Sequence, residues 1–305
     1  MCSSDLARTG LPRGSVDYAA CLVNEANLRL SQAEETGALP ELHRAIALYR
    51  QARPRFSKHP EYERICLLGE GNAWTTLAEL GEAPGPNLKK AIARFAAARS
   101  GDEPVDLGDA RSLINEAVAR IALADRGMQP EQHLALAVEM LGRARTVLDE
   151  SDAEYIRAQI NEGNARCALA DLNRDAIENL WQALALYEQA RSPLPSTHPD
   201  FALCLMNEGA ARTQLASLGE ASQENWARAA ALFETAGALF PRRSLNRGRC
   251  MSNEGAARRN LADLGIHVEQ NLQRAVLLYR SARRQFPAGS LSHARSLMKI
   301  GRAHV

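Results

Sequence analysis

The segment NEGAARRNLADLG, residues 253–265, decides the fold because nearly the same segment occurs six times in the chain. Residues 207–219 read NEGAARTQLASLG and residues 161–173 read NEGNARCALADLN, while the other copies begin at Asn115, Gly69 and Asn24. A second segment, such as NLQRAVLLYRSAR at 271–283, follows each copy. Its alanine recurs every 46 residues, at Ala45, Ala91, Ala137, Ala183, Ala229 and Ala275. Self-similarity at a fixed period of this size is typical of a tandem helical-repeat protein.

Composition excludes several classes of function. Hydrophobic residues make up 46% of the chain but aromatic residues only 5%, so alanine and leucine must form much of the core. The net charge of +1 argues against a nucleic-acid or anionic-membrane surface. Apolar runs fall short of the roughly 20 residues that a membrane-spanning helix needs. We therefore predict no nucleic-acid partner, no membrane partner and a cytoplasmic protein; the preference for Arg over Lys suggests a GC-rich bacterial genome.

At the front of the chain the residues before Ala7 do not follow the repeat, whereas at the back Gly301 and Ala303 lie in register with Gly255 and Ala257. MCSSDL at 1–6 and IGRAHV at 300–305 resemble translated sequencing-adapter sequence, so we expect a fragment with an adapter remnant and the end of a truncated repeat at 1–14. The start of a seventh repeat, ending in adapter sequence, is expected at 290–305. The repeats predicted between them span 15–56, 57–105, 106–150, 151–196, 197–243 and 244–289.

Each repeat is predicted to form two helices. Candidate N-caps of the first helix, whose side-chain oxygens can accept the free amide hydrogens of its first turn, are Ser15, Ser57, Asp106, Ser151, Thr197, Ser244 and Ser290. Residues that tolerate the left-handed conformation of a C-cap recur at Gly81, Gly127, Asn173, Gly219 and Gly265. Candidate N-caps of the second helix are Asn87, Asn179, Asn225 and Asn271. Since no segment alternates like a strand, the predicted fold class is all-α.

Small residues indicate where helices must approach closely. One such position in the first helix is occupied by Gly71, Gly163, Gly209 and Gly255, with alanine in the other two copies. The recurring alanine of the second helix is followed four residues later by a large side chain, such as Tyr187, and after three more residues by another alanine. This spacing places all three residues on one helical face.

These residues resemble the tetratricopeptide repeat, in which Gly-x-x-x in the first helix is followed by Ala-x-x-x-Tyr-x-x-Ala in the second. The resemblance covers the chain from Ala7 onward and implies a right-handed α-solenoid of stacked helix-turn-helix units. The chain departs from the family in its period of 46 rather than 34 residues. Glu and Arg also replace the family's leucine before the glycine and tyrosine three residues after it.

The recurring Glu and Arg lie four residues apart, as in Glu116 and Arg120, which is the favourable order for an intrahelical ion pair. Six equivalent carboxylates on stacked units indicate structure rather than catalysis, and the value of the pairs depends on their burial. Cys21, Cys66, Cys204 and Cys250 share a position that accepts Ser or Ala elsewhere, so we interpret it as a packing site. We predict no enzyme activity, no catalytic residue, no cofactor and no metal site.

Two functions fit this organisation. In the first, the chain is a non-catalytic scaffold whose concave surface, formed by the first helices, holds an extended segment of a protein partner. In the second, it is the regulatory or structural repeat arm of a larger multidomain signalling protein, so the partner could be a domain of its own full-length chain. The partner's identity is not encoded in the repeat.

The most specific site hypothesis concerns asparagines in the first helix. Asn24, Asn115, Asn161, Asn207 and Asn253 precede the small position by two residues. An asparagine amide offers a donor and an acceptor, so one per repeat could bind the backbone of an extended peptide. The peptide-binding array of O-linked N-acetylglucosamine transferase resembles this pattern, with Asn at the matching position. Asn27, Asn72 and Asn164 would lie one turn away and add contacts. In the alternative interpretation, each asparagine fastens its helix to a neighbouring repeat.

Overall fold

The computed structural model describes residues 10–99 and 106–286, together with residues 290, 293, 298 and 299. Over this part of the chain the protein is all-α, with twelve α-helices, one 3₁₀ helix and no strand. Adjacent helices pack in series, as in an α-solenoid. The chain forms two compact units, residues 1–158 and residues 159–305.

The first unit contains three complete helical pairs. Within it, each helix packs against the next, and the first helices of successive pairs also touch. The helices are α1 (Val16–Thr36), α2 (Leu39–Ala52), α3 (Pro60–Glu79), α4 (Pro84–Ala97), α5 (Leu107–Ala124) and α6 (Pro130–Arg145), with a 3₁₀ helix at Arg53–Phe56 after α2. The boundary between the units falls within α7 (Ala153–Asp171).

The second unit repeats this arrangement. Its helices after α7 are α8 (Ala176–Arg191), α9 (Pro199–Ser217), α10 (Ser222–Leu239), α11 (Leu245–Asp263) and α12 (Val268–Arg283). One helical pair lies in each of the six predicted repeats between residues 15 and 289. The predicted adapter segments lie outside the described residues.

The left-handed ends of the first helices are confirmed. Gly81, Gly127, Gly219 and Gly265 have φ between 73° and 91°, and Asn173 has φ 59°. After Gly81, the amide of Glu82 donates to the carbonyl of Leu77, which satisfies one of the free acceptors at the end of α3. Residues that carry a Cβ, apart from Asn, rarely adopt this backbone conformation. This preference explains why Gly or Asn recurs at the position.

The N-cap predictions for the first helices are only partly correct. Ser15, Asp106 and Ser244 accept from amides three residues later, and Ser290 accepts from His293. The predictions at three other positions are wrong. His59 and His198, rather than Ser57 and Thr197, occupy the N-caps of α3 and α9. The Ser151 hydroxyl donates to Asp149 at 2.6 Å, and α7 begins only at Ala153.

The N-cap prediction for the second helices is also wrong. Asn179 lies inside α8, which begins three residues earlier, after Asp175 in the left-handed conformation. Its side-chain amide reaches back and donates to the carbonyl of Arg174 at 2.9 Å. The bond holds the connecting loop against the helix, and it recurs with similar geometry at Asn87, Asn225 and Asn271.

The large side chain of each second helix packs against the small residue of the first helix in the same pair. A Cβ added at Gly163 would lie 2.6 Å from Cε1 of Tyr187, and one at Gly255 would lie 2.8 Å from Cε1 of Tyr279. These separations are far below normal van der Waals contact. Every recurring alanine of the second helix is fully buried, at Ala45, Ala91, Ala137, Ala183, Ala229 and Ala275. Helix pairs therefore close around an aromatic or leucine side chain seated against glycine or alanine.

Candidate functional site

The first helices of the first unit line a groove of about 520 Å³. Asn27 from α1, Asn72 from α3 and Asn115 from α5 all line it, so three of the predicted site residues are brought together. Ile65, which is 42% exposed, and Leu68 add apolar surface. Charged side chains occur in two groups, Glu34 and Glu79 in one and Arg111, Glu154 and Arg157 in the other. The groove therefore combines amides, apolar surface and charge.

The groove asparagines already make contacts within the protein. Asn115 donates through Nδ2 to Oδ1 of Asn72 at 3.2 Å and accepts from Arg157, while Asn27 accepts from the hydroxyl of Tyr49 at 2.6 Å. In the described part of the chain, the Nδ2 groups of Asn27 and Asn72 donate to no partner. Two amide donors thus remain available in the groove.

The second unit has a groove of about 510 Å³ lined by α7, α9 and α11. Asn253 lines it and, in the described residues, forms no side-chain hydrogen bond. Gln214 also lines it, and its Oε1 is buried without a hydrogen-bond donor. Leu180 and Trp226 supply the apolar part of the lining.

Asparagines of successive first helices pair where both positions carry one. In the second unit Asn207 donates through Nδ2 to Oδ1 of Asn164 at 2.9 Å, as Asn115 does to Asn72 in the first. The hydroxyl of Tyr187 donates to the same oxygen of Asn164, also at 2.9 Å. These bonds are the ones expected if each asparagine fastens its helix to a neighbouring repeat. Asn24 and Asn161 lie outside both grooves and make no side-chain hydrogen bond in the described residues.

At Gly69, where the asparagine pattern is interrupted, the Tyr49 ring fills the space that a side chain would need. A Cβ at residue 69 would lie 2.6 Å from Cε1 of Tyr49 and 2.7 Å from its hydroxyl oxygen. Tyr49 is itself fixed because it is 1% exposed and bonded to Asn27. Asparagine therefore cannot occupy position 69 while the Tyr49 ring is placed there.

The recurring carboxylates are buried and paired rather than available for chemistry. Glu116, which is 1% exposed, accepts from Arg120 of its own helix at 2.6 Å and from Arg99 at the end of α4. Arg191, in the position equivalent to Arg99, lies 3.6 Å from Glu208. Arg99 and Arg191, each of which follows an alanine at the end of a second helix, thus supply an ion pair to the next repeat, a role that the sequence did not indicate.

The Trp74 repeat shows how the buried carboxylate is satisfied without its own arginine. Trp74 donates through Nε1 to Glu70 at 3.3 Å, and Arg50 of the preceding helix donates to the same oxygen at 2.7 Å. Lys90 lies 4.0 Å from the Trp74 ring centroid, which places a cation over an electron-rich face. The carboxylate pattern is therefore structural in this repeat too.

The recurring cysteines are buried thiols. Cys66, Cys204 and Cys250 are almost fully buried, and burial raises the pKa of each to about 12. All five cysteines of the described residues are unpaired: Cys21, Cys66, Cys167, Cys204 and Cys250. Since a thiolate is the reactive form, the three buried thiols are poor nucleophiles at neutral pH.

Neither a metal-binding cluster nor a membrane-spanning helix occurs among the described residues. No group of three or more His, Cys, Asp or Glu is placed to hold a metal ion. None of the described helices has the length and apolar character needed to cross a membrane.

Comparisons with known proteins identify the fold and no family. The sequence matches no protein-family model and no curated protein. The solved structure of the S. pombe nuclear import adaptor Nro1 aligns with 94% of this chain and 98% of its own, with a TM-score of 0.50 and 10% identity. A second structure, described as the hypoxic regulator of sterol synthesis Nro1, a nuclear import adaptor, aligns over 97% of both chains with a TM-score of 0.46 and 10% identity. At this identity the likeness shows an all-helical fold.

Proposed function

We propose that this chain is a non-catalytic scaffold whose first-helix surface binds an extended segment of a protein partner. The observation that carries the proposal is the convergence of Asn27, Asn72 and Asn115, from three successive first helices, on one groove. Two of their amides retain an unused donor, which suits the carbonyl groups of a peptide backbone. The helical pairs themselves are proposed to be a long-period variant of the tetratricopeptide repeat.

The other recurring polar groups support a binding role rather than a catalytic one. The buried glutamates are held in ion pairs by arginines, and the pKa of the buried thiols lies far above neutral pH, about 12 for Cys204. Neither set is presented to a substrate. The role of nuclear import adaptor belongs to Nro1. A protein-binding role for this chain is consistent with it.

The test is selection of random peptides on the protein, followed by calorimetric titration of a selected peptide with wild-type protein and an Asn27→Ala/Asn72→Ala double variant. Each hydrogen bond to a peptide is worth about 0.5–1.5 kcal/mol, so the double variant should bind about 5- to 150-fold more weakly. Asn24→Ala, on the same helix but outside the groove, is the matched control.

Thermal denaturation of the same variants separates binding from stability. Asn27 and Asn72 also accept hydrogen bonds from Tyr49 and Asn115, so the double variant should melt at a lower temperature. Weaker binding measured at a temperature where both proteins remain folded supports the scaffold. Unchanged affinity with a lowered melting temperature would show that these asparagines only hold the repeats together. Failure of any peptide to be enriched would remove the proposed function.

A further inference from the structure

A row of carboxylates ends the first helices. The position eight residues after the small site carries Glu34, Glu79, Asp125, Asp171, Ser217 and Asp263. It is acidic in five of the six repeats although the net charge of the whole chain is +1. The acidic character therefore belongs to this position and not to the overall composition.

Helix stability does not explain these carboxylates. Each lies at the C-terminal end of its helix, where the helix dipole disfavours a negative charge. The last turns of these helices contain no basic residue that would compensate. Asp263 pairs with Arg259 at 3.5 Å, but within the described residues Glu34, Glu79 and Asp171 form no ion pair. A residue type that recurs at an unfavourable place indicates a use other than folding.

Both grooves reach this row. Glu34 and Glu79 line the groove of the first unit, and Asp171 lines that of the second. In the first groove Glu154 lies 3.3 Å from Arg157 and 3.9 Å from Arg111, so this group keeps one positive charge. With the two carboxylates of Glu34 and Glu79, the lining has three negative and two positive side chains, a net charge of −1. Asp171 is the charged residue of the second groove's lining.

The second groove adds a buried acceptor. Oε1 of Gln214 is inaccessible to solvent and accepts no hydrogen bond within the described residues. A buried acceptor without a donor is unfavourable, and because Gln214 as a whole is only partly buried, its side chain can turn into the groove and accept from a ligand donor. Burial also raises the pKa of Asp171, and the pKa of Glu79 is raised by burial and then by the charge of Glu34. A bound cation would favour the charged forms of Asp171 and Glu79, and an ammonium or guanidinium group would supply a donor to Gln214.

We infer that the partner segment held by these grooves is basic, with Lys or Arg side chains that pair with Glu34 and Glu79 in the first unit or with Asp171 and Gln214 in the second. The inference rests on the proposed function and names the chemistry of the partner. Apolar residues of the same segment would contact Ile65 and Leu68 in the first groove or Leu218, which is 48% exposed, in the second. An acidic peptide or the phosphates of a nucleic acid would be repelled by Glu34 and Glu79 in the first groove and by Asp171 in the second.

The test uses fluorescein-labelled pools of short randomised peptides that differ in one fixed central residue, Lys, Arg, Gln or Glu. Fluorescence anisotropy with the whole chain should rank the Lys and Arg pools above Gln, and Glu last. Higher NaCl concentration should reduce the difference, because exposed charges are screened. Glu34→Gln/Glu79→Gln and Asp171→Asn should weaken binding of the Lys pool by about 2- to 5-fold per carboxylate, the range of an exposed ion pair.

Matched controls lie on the second helices. Glu139→Gln in α6 and Glu188→Gln in α8 remove exposed carboxylates that line neither groove, and should leave binding unchanged. The groove variants remove charges from unfavourable helix ends, so their melting temperatures should be kept or raised. A loss of binding then cannot be attributed to unfolding.

The outcomes separate this inference from the function on which it rests. Equal binding of the Gln and Lys pools, insensitive to the carboxylate variants but lost in Asn27→Ala/Asn72→Ala, would overturn the basic preference and keep the scaffold. Preference for the Glu pool, or binding of a labelled RNA oligonucleotide, would also overturn it. Binding of no pool would remove both proposals.

Discussion

Replacing Gly71 by alanine should destabilise the first unit although alanine is the better helix former. The added Cβ would lie 2.7 Å from Cδ1 and 2.8 Å from Cζ of Phe95, and closer still to Cε1. Favourable contacts between carbon atoms begin near 3.5 Å. Phe95 is fully buried, so its ring has no free volume into which to move. Either α3 must shift away from α4 or the ring must leave its preferred rotamer.

The magnitude follows from two opposing effects. Overpacking a filled core costs about 1–3 kcal/mol, and the overlap with several ring atoms favours the upper half of that range. Alanine gains about 1 kcal/mol over glycine in a helix interior. We therefore expect Gly71→Ala to lower the free energy of unfolding by about 1–2 kcal/mol.

Gly142→Ala is the matched control. Gly142 also lies within a helix of the first unit, α6, but a Cβ there meets no atom within 4 Å. The variant should therefore show only the helix-propensity gain, about 1 kcal/mol of stabilisation. The two substitutions are chemically identical and should have opposite signs.

Urea denaturation followed by circular dichroism measures the sign, and amide hydrogen exchange in α3 and α4 locates the effect. Gly71→Ala at least as stable as the wild type would refute the packing argument. So would equal destabilisation by Gly142→Ala.

Four further outcomes are expected. Asn225→Ala loses its bond to the loop carbonyl and should destabilise the second unit by about 1–3 kcal/mol, seen as faster hydrogen exchange in α10. Glu116→Ala leaves two arginines without their buried carboxylate and should cost about 3 kcal/mol, against about 0–1 kcal/mol for an exposed pair, by urea denaturation. Burial raises the pKa of the Cys204 thiol from 9.0 to about 12, so above pH 9 the unfolded chain loses this proton first and stability falls as pH rises. Cys204→Ala should flatten that decline in alkaline melting curves. Asn207→Ala should lower the melting temperature whereas Asn253→Ala should not, since only Asn207 is bonded to a neighbouring asparagine.

The helical pairs and their C-caps could be predicted because they depend on local chemistry. The left-handed conformation at Gly219 and Asn173 restricts the residue type, so the cap is visible in the sequence. The close approach at Gly163 is also visible, because no larger residue fits against Tyr187. In both cases the repeat shows one local constraint several times.

The starts of the second helices could not be predicted in the same way. Asparagine favours N-caps, but the helix α8 begins earlier, after Asp175 in the left-handed conformation. Asn179 is then buried inside the helix, where it donates to a loop carbonyl and accepts from Arg166 at 3.3 Å. The preference of asparagine for N-caps therefore predicted the wrong start for this helix. Asparagine is required here because it bonds to the loop carbonyl and to Arg166.

The recurring carboxylates can be found by aligning the repeats, but the alignment does not show which side chains surround them. Glu79 and Asp171 look like ordinary surface residues until the grooves they line are known. The acceptor of Gln214 gave no signal at all, because its burial depends on side chains from other helices. The partner's chemistry therefore follows from three-dimensional placement rather than from any single position.

The asparagine column divides into paired and unpaired residues according to a residue in the neighbouring repeat. Asn207 meets Asn164 and is tied to it, whereas the position equivalent to Asn164 in the following step is Ala210, so Asn253 has no amide to pair with. Asn253 instead lines a groove. The two interpretations offered by the sequence are therefore not exclusive, because one column can hold repeats together at one step and leave a donor and an acceptor for a partner at the next. Binding should then depend on the unpaired amides, and stability on the paired ones.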